Sequence, residues 1–200
     1  MKRIILTAVL ICFFGSAYSQ AFSGGVSAGF VASQLDGDNL GGYHKPGVRA
    51  GGWVNTKLGN FLLLQLELEY TQKGSKISEQ EYEKTRYYHS RLNYVQLPFL
   101  AKIQLYPKIF GEAGVAVGYL ESSAEDKDGY GFLEATPPFD EWDFSGILGL
   151  SYEFNETWMG TVRFNYSILP VREHPGGQVY WVNRGQYNNA VSFSVFYKID

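Results

Sequence analysis

Leu62, Leu64, Leu66, Leu68 and Tyr70 occupy every second position of one stretch, with Gln65, Glu67, Glu69, Thr71 and Lys73 on the alternate positions. A helix would scatter such a row around its circumference; a strand puts it on one face. The same period recurs in seven further segments, at residues 22–33, 48–57, 91–104, 109–121, 142–154, 158–169 and 191–200. The chain therefore reads as all-β, with eight strands.

The connections between these segments alternate in length. Three are tight, around Leu58-Gly59-Asn60, Tyr106-Pro107-Lys108 and Asn155-Glu156-Thr157. Four are long, Leu35–Gly47, Gly74–Ser90, Ser122–Glu141 and Pro170–Gln186, each roughly 13 to 20 residues and beyond hairpin length. In an up-and-down meander, alternate connections share an end. All short turns then lie on one side and all long loops on the other, the layout of a transmembrane β-barrel with periplasmic turns and extracellular loops.

A leader precedes the strands. Lys2 and Arg3 are basic, Ile4 to Phe14 is an apolar run of eleven residues, and Ala17-Tyr18-Ser19 is a small-x-small site. That order and length fit a signal peptide and are too short for a membrane helix. The expected division is a signal peptide at 1–19 and one barrel domain at 20–200. Cleavage after Ser19 is checked by the intact mass of the purified protein; retention of Lys2 and Arg3 would overturn it. The single cysteine, Cys12, falls in the leader, so no disulfide or thiolate chemistry is expected of the mature chain.

The alternation alone fits a lipocalin-like soluble barrel with an apolar interior equally well. Composition decides against it. Charged residues are 18% and aromatics 16%, with 23 glycines, which suits a β-protein whose surface is not all in water. The polar rows mix small residues such as Ser27, Gly114, Gly118 and Ser194 with charges of both signs. A narrow interior needs small side chains, and tolerates charges only when they are paired. Arg49, Glu67, Glu69, Lys102, Glu112, Arg163 and Lys198 are accordingly expected to form a lumen charge network that fills the barrel. Phe144 and Phe154 stand ten residues apart on the outer row, about 25 Å along the membrane normal at a tilt near 40°, the spacing of two aromatic girdles.

Four segments, LQLELEYTQKGSK (Leu64–Lys76), LNYVQLPFLAK (Leu92–Lys102), GEAGVAVGYL (Gly111–Leu120) and DFSGILGLSYEF (Asp143–Phe154), together with GYHKPGVRAGGWV (Gly42–Val54), resemble the PorT-like outer-membrane β-barrel family of Bacteroidota. The resemblance runs from about Phe22 to the end of the chain and is most specific in the Tyr94-x-Gln96-x-Pro98 core. It implies an eight-stranded barrel in the outer membrane of a Gram-negative bacterium, with both termini periplasmic. It implies little about activity; one branch of the family is linked to protein secretion.

Candidate chemistry is sparse. His89 and Ser90 are adjacent and point to opposite faces, so they do not form the pair a lipid-modifying enzyme needs. His44 and His174 lie in loops. Residues 35–39 and 125–129 carry Asp and Gly in a pattern faintly like a calcium loop but lack its full ligand spacing, and turn formation explains them. No phosphate loop, dinucleotide fingerprint, zinc spacing or nucleophile elbow occurs. The expectation is no enzyme, no metal and no cofactor. A net charge of −3 offers no footprint for nucleic acid. The expected partners are outer-membrane lipid and a protein at the extracellular loops, where Tyr180, Trp181, Arg184 and Tyr187 combine the aromatic and Arg side chains that anchor interfaces. Three function classes remain: a structural or binding barrel, an accessory factor of an outer-membrane secretion system, and a lipid-modifying enzyme.

Overall fold

The two rows of each strand part company in the three-dimensional structure. The computed structural model describes residues 22–38, 40–59, 61–77, 87–173 and 185–199; the leader and the stretch holding Tyr180, Trp181 and Arg184 lie outside these. The strands are β1 (Phe22–Asp36), β2 (Lys45–Leu58), β3 (Leu62–Lys73), β4 (His89–Tyr106), β5 (Ile109–Asp126), β6 (Leu133–Glu134), β7 (Trp142–Glu153), β8 (Trp158–Ser167), β9 (Arg172–Glu173) and β10 (Gly185–Ile199). Eight of them follow one another around an antiparallel sheet in the order β1-β2-β3-β4-β5-β7-β8-β10. β10 then pairs with β1 from Gly24↔Ile199 to Asp36↔Tyr187, which closes the barrel and leaves no edge.

Two features differ from the sequence reading. β6 and β9 are two-residue strands in the loops, pairing with β5 and β10. Several barrel strands also run further toward the loop end, with β5 continuing to Asp126 and β10 beginning at Gly185. Backbone pairing needs no alternation of polarity once a strand has left the apolar layer, so composition hides these extensions.

The polar row is the inner one. On β3, Glu67 and Glu69 are 2% and 5% exposed, whereas Leu66 and Leu68 are 44% and 56% exposed. Phe99, Val115, Leu148, Leu150, Val162 and Phe193 are likewise exposed on the outside. An apolar surface of this extent is stable only against lipid. At the loop end an aromatic belt follows one cross-strand row, Tyr70↔Val95↔Tyr119↔Trp142, with the last two rings 5.3 Å apart. At the turn end Trp158 packs on Tyr197 at 4.9 Å and Tyr152 on Phe154 at 5.5 Å. The membrane-spanning part lies between these belts.

The turns are built locally. Asn155 Oδ1 accepts hydrogen bonds from the amides of Thr157 and Trp158, both at 2.9 Å, which forms the β7–β8 turn. Adjacent strands approach so closely that a Cβ at Gly51 would lie 2.2 Å from the Leu68 carbonyl oxygen, and one at Gly114 2.1 Å from that of Phe99.

Candidate functional site

The interior is built in tiers. At the midplane Arg163, on β8, reaches two carboxylates. Its Nη1 and Nη2 donate to the two oxygens of Glu67 at 2.9 and 2.8 Å, and its Nε donates to Glu112 at 2.6 Å. Lys102 pairs with the other oxygen of Glu112 at 2.7 Å, where the Ser151 hydroxyl also donates. Arg49 pairs with Glu67 at 3.2 Å and with Glu69, and donates to Ser192. Three cations thus face three carboxylates contributed by β2, β3, β4, β5 and β8, as low dielectric demands. Lys198 is half-buried and lines the cavity at the turn end.

A second tier lies nearer the loop end. Lys73 pairs with Asp143 at 2.9 Å, and Asp143 also accepts from Ser167 and Asn188, the latter reaching the Tyr94 hydroxyl. Above it an apolar cluster of Leu35, Leu92, Tyr94, Ala135, Phe139 and Val171 fills the barrel mouth. Arg172 lies over the Phe139 ring at 3.8 Å and ties four segments together. It pairs with Glu125 at 2.7 Å and donates to Gln186 at 2.8 Å, Tyr88 at 3.1 Å and the Pro137 carbonyl at 3.2 Å. This seal was missed from sequence. Leu35, Leu92 and Tyr94 belong to β1 and β4, but Ala135, Phe139, Val171 and Arg172 sit in long connections with no periodicity to mark them, and the sole signal was Phe139-Asp140 amid otherwise polar and Pro-rich residues.

The turn end is hollow. A cavity of about 1170 Å³ begins there, floored by Trp53, Phe110, Phe196 and Met159 and rimmed by lysines and glutamates.

The other candidate residues are placed as follows. Tyr187 is on β10, half-buried, its ring stacked on Tyr166 at 6.0 Å. His44 is exposed in the β1–β2 loop, and His174 lies outside the described residues. His89 packs edge-on against Phe132 at 4.9 Å. The carboxylate nearest to it in sequence register, Asp126, is occupied with a turn: its oxygens accept from the amides of Asp128, Gly129 and Gly131. That gives the 125–129 segment its Asp and Gly. Among the described residues no three His, Cys, Asp or Glu side chains are grouped to hold a metal ion.

The fold has known counterparts. The structure is similar to Neisserial surface protein A, with TM-score 0.56 and 12% identity over 90% of this chain and all of that one. It is also similar to Ail, the attachment invasion locus protein of Yersinia pestis, with TM-score 0.51 and 11% identity over 88% of this chain and 98% of that one. No curated protein matches it in sequence. The family model described as outer membrane protein beta-barrel domain matches residues 18–172. This is a barrel of the Gram-negative outer membrane, and the chain belongs to the outer membrane protein beta-barrel domain family.

Proposed function

We propose that the protein acts by non-covalent binding at its extracellular end, neither as a channel nor as an enzyme. The observation that carries this reading is the double closure of the lumen, by the Arg163 network at the midplane and the Phe139–Arg172 seal above it. With the lumen closed off above its turn-end cavity, the crown of loops is the largest chemically varied surface left. The crown stands on a packed base and displays apolar side chains to water: Tyr130 is 98% exposed and Leu133 is 76% exposed. Ail has been crystallised in complex with the heparin analogue sucrose octasulfate, a precedent for ligand binding on this fold. Tyr180, Trp181 and Arg184 belong to the proposal as sequence candidates alone.

Two measurements test it. In planar bilayers the purified barrel is expected to show no large, steady conductance; an open channel would overturn the closed-lumen reading. In intact cells, a photo-crosslinking side chain placed at Tyr130 should capture a partner and one at Gly59 should not. Cysteines at Gly129 and Gly59 should divide the same way toward an impermeant thiol reagent, because Cys12 is the only native cysteine. The reverse labelling would put the turns outside.

The PorT-like segments support a second reading, an accessory role in outer-membrane secretion. Deletion of the gene would then stop export of secreted proteins while leaving the membrane intact.

A further inference from the structure

The outer wall changes character along one line. On β8 the outward row runs Val162, Phe164, Tyr166; on β10 it runs Phe193, Val191, Asn189, Tyr187; on β1 it runs Phe30, Ala32, Gln34, Asp36. These strands are neighbours. Their register aligns Phe164↔Val191↔Ala32 and, one row nearer the loops, Tyr166↔Asn189↔Gln34. The first row is apolar and the second polar, so lipid tails give way to headgroups between them. The step is about 5 Å, at roughly 3.3 Å per residue and a tilt near 40°.

The polar side chains at this line form one connected cluster on the outer face. Asp36 Oδ1 accepts from Gln34 Nε2 at 2.6 Å, and Oδ2 accepts from Asn189 Nδ2 at 3.1 Å. The Tyr166 hydroxyl donates to the same carboxylate. Tyr43 reaches back from the β1–β2 loop and donates to Asn189 Oδ1 at 2.7 Å. The Tyr187 ring lies nearly parallel to that of Tyr166 at 6.0 Å, and Tyr166 to Phe164 at 6.2 Å. A ladder of three rings thus climbs from the acyl layer to the carboxylate.

What the cluster lacks is a cation. In the lumen Glu67, Glu112 and Asp143 each pair with a buried Arg or Lys. Half-buried Asp36 makes no ion pair among the described residues; its three donors are neutral. Asp38, close enough to feel the charge of Asp36, is a second carboxylate with no ion pair among them. An aromatic girdle needs no carboxylate at its centre. A carboxylate flanked by tyrosine rings attracts a positive charge twice over, by direct Coulomb attraction and by the rings' negative faces. We propose that Asp36, Tyr43, Tyr166 and Tyr187 form a binding site for the ammonium group of an outer-leaflet lipid. The ammonium donates to Asp36, the rings flank it, and the lipid's chains lie down the wall along Phe164, Val191 and Ala32. Those apolar residues directly below the carboxylate favour a lipid over a free amine. The site rests on the reading of the loop end as the extracellular binding end, and names what one flank of it holds.

The test uses the full mature protein in nanodiscs of phosphatidylglycerol doped with phosphatidylethanolamine or, in parallel, with its N-acetylated form. Acetylation removes the positive charge and keeps the phosphate and both chains. Native mass spectrometry counts the lipid retained. The ammonium lipid should be retained about tenfold better than the acetylated one, as a charge-assisted bond implies. Asp36→Asn, nearly isosteric, should bring the two lipids to parity. Tyr187→Leu, which leaves the Asp36 hydrogen bonds in place, should cut the preference about threefold. Glu121→Gln, at an exposed carboxylate of β5 on the far side of the barrel, should leave it unchanged. A cluster that only ties strands together would change the folded fraction in these variants and not the ratio of lipids. Equal retention of the two lipids by the parent protein, or an undiminished preference in both Asp36→Asn and Tyr187→Leu, would overturn the site. Binding of free ethanolamine as tightly as phosphatidylethanolamine would overturn its assignment to a lipid. Retention is read with no protein partner present, so it stands or falls separately from crosslinking at Tyr130.

Discussion

Arg163→Ala is expected to cost the barrel about 3–5 kcal/mol of stability, because it breaks buried ion pairs from one side only. The Arg163 guanidinium alone bridges Glu67 and Glu112, with three hydrogen bonds between 2.6 and 2.9 Å. Without it Glu67 leans on Arg49, which already serves Glu69, and Glu112 keeps only Lys102 and Ser151. Two cations would then face three carboxylates in a site sealed from water. The imbalance is the cause, so restoring the balance should restore stability: Arg163→Met combined with Glu112→Gln should recover most of the loss. Denaturant midpoints of the heat-modifiable folded band measure both variants in detergent. A loss below about 1 kcal/mol in Arg163→Ala would mean that water reaches the network, and the closed-lumen reading would fail with it.

The eight strands were legible because period two is imposed wherever one face meets lipid and the other the lumen. Leu64–Thr71 shows this without exception, and the bounds of its strand, Leu62–Lys73, are the same in the sequence reading and the structure. The alternation breaks where the interior accepts apolar bulk. Leu100, Phe110 and Phe196 point inward, and no polarity rule separates them from Phe99 or Val195 on the outer face. Charges were legible as a group, since a narrow lumen must balance them. Their partners were not: that Arg163 meets both Glu67 and Glu112 depends on the stagger of strands far apart in sequence. Lys198 shows the limit. Strand phase gives it to the inner row, but how deep in the barrel it sits, near the end of β10 at the turn-end cavity, is set by strand length and not by phase. Lys45 was passed over for the converse reason. It lies within a stretch that reads as a loop, and only the pairing of β2 with β1 shows that it is buried on the inner row.

The seal should open when its central cation is removed. Arg172→Ala deletes the ion pair to Glu125, three further hydrogen bonds and the contact with Phe139, leaving the buried Glu125 carboxylate with Tyr88 and the exposed Lys127. Loss of one partner from such a pair costs about 3 kcal/mol or more, enough to shift a local opening equilibrium by about a hundredfold. Ala135 lies inside the seal, and Ala135→Cys adds little volume, so it reports access. In intact cells this cysteine should react with an impermeant maleimide about a hundred times faster in the Arg172→Ala background than alone. Acid should open the same seal, but late. Burial pushes the Glu125 carboxyl up; the Tyr88 hydroxyl, Arg172 and Lys127 outweigh it and hold the group below its ordinary 4.5. A carboxyl depressed in the folded state contributes stability that is complete above its unfolded pKa and is lost as pH falls through the folded one. Labelling of Ala135→Cys should therefore stay slow from neutral pH down to the ordinary carboxyl value of 4.5 and accelerate only below it. Rapid labelling of the otherwise unaltered barrel at neutral pH would show that Phe139 and Arg172 do not close it.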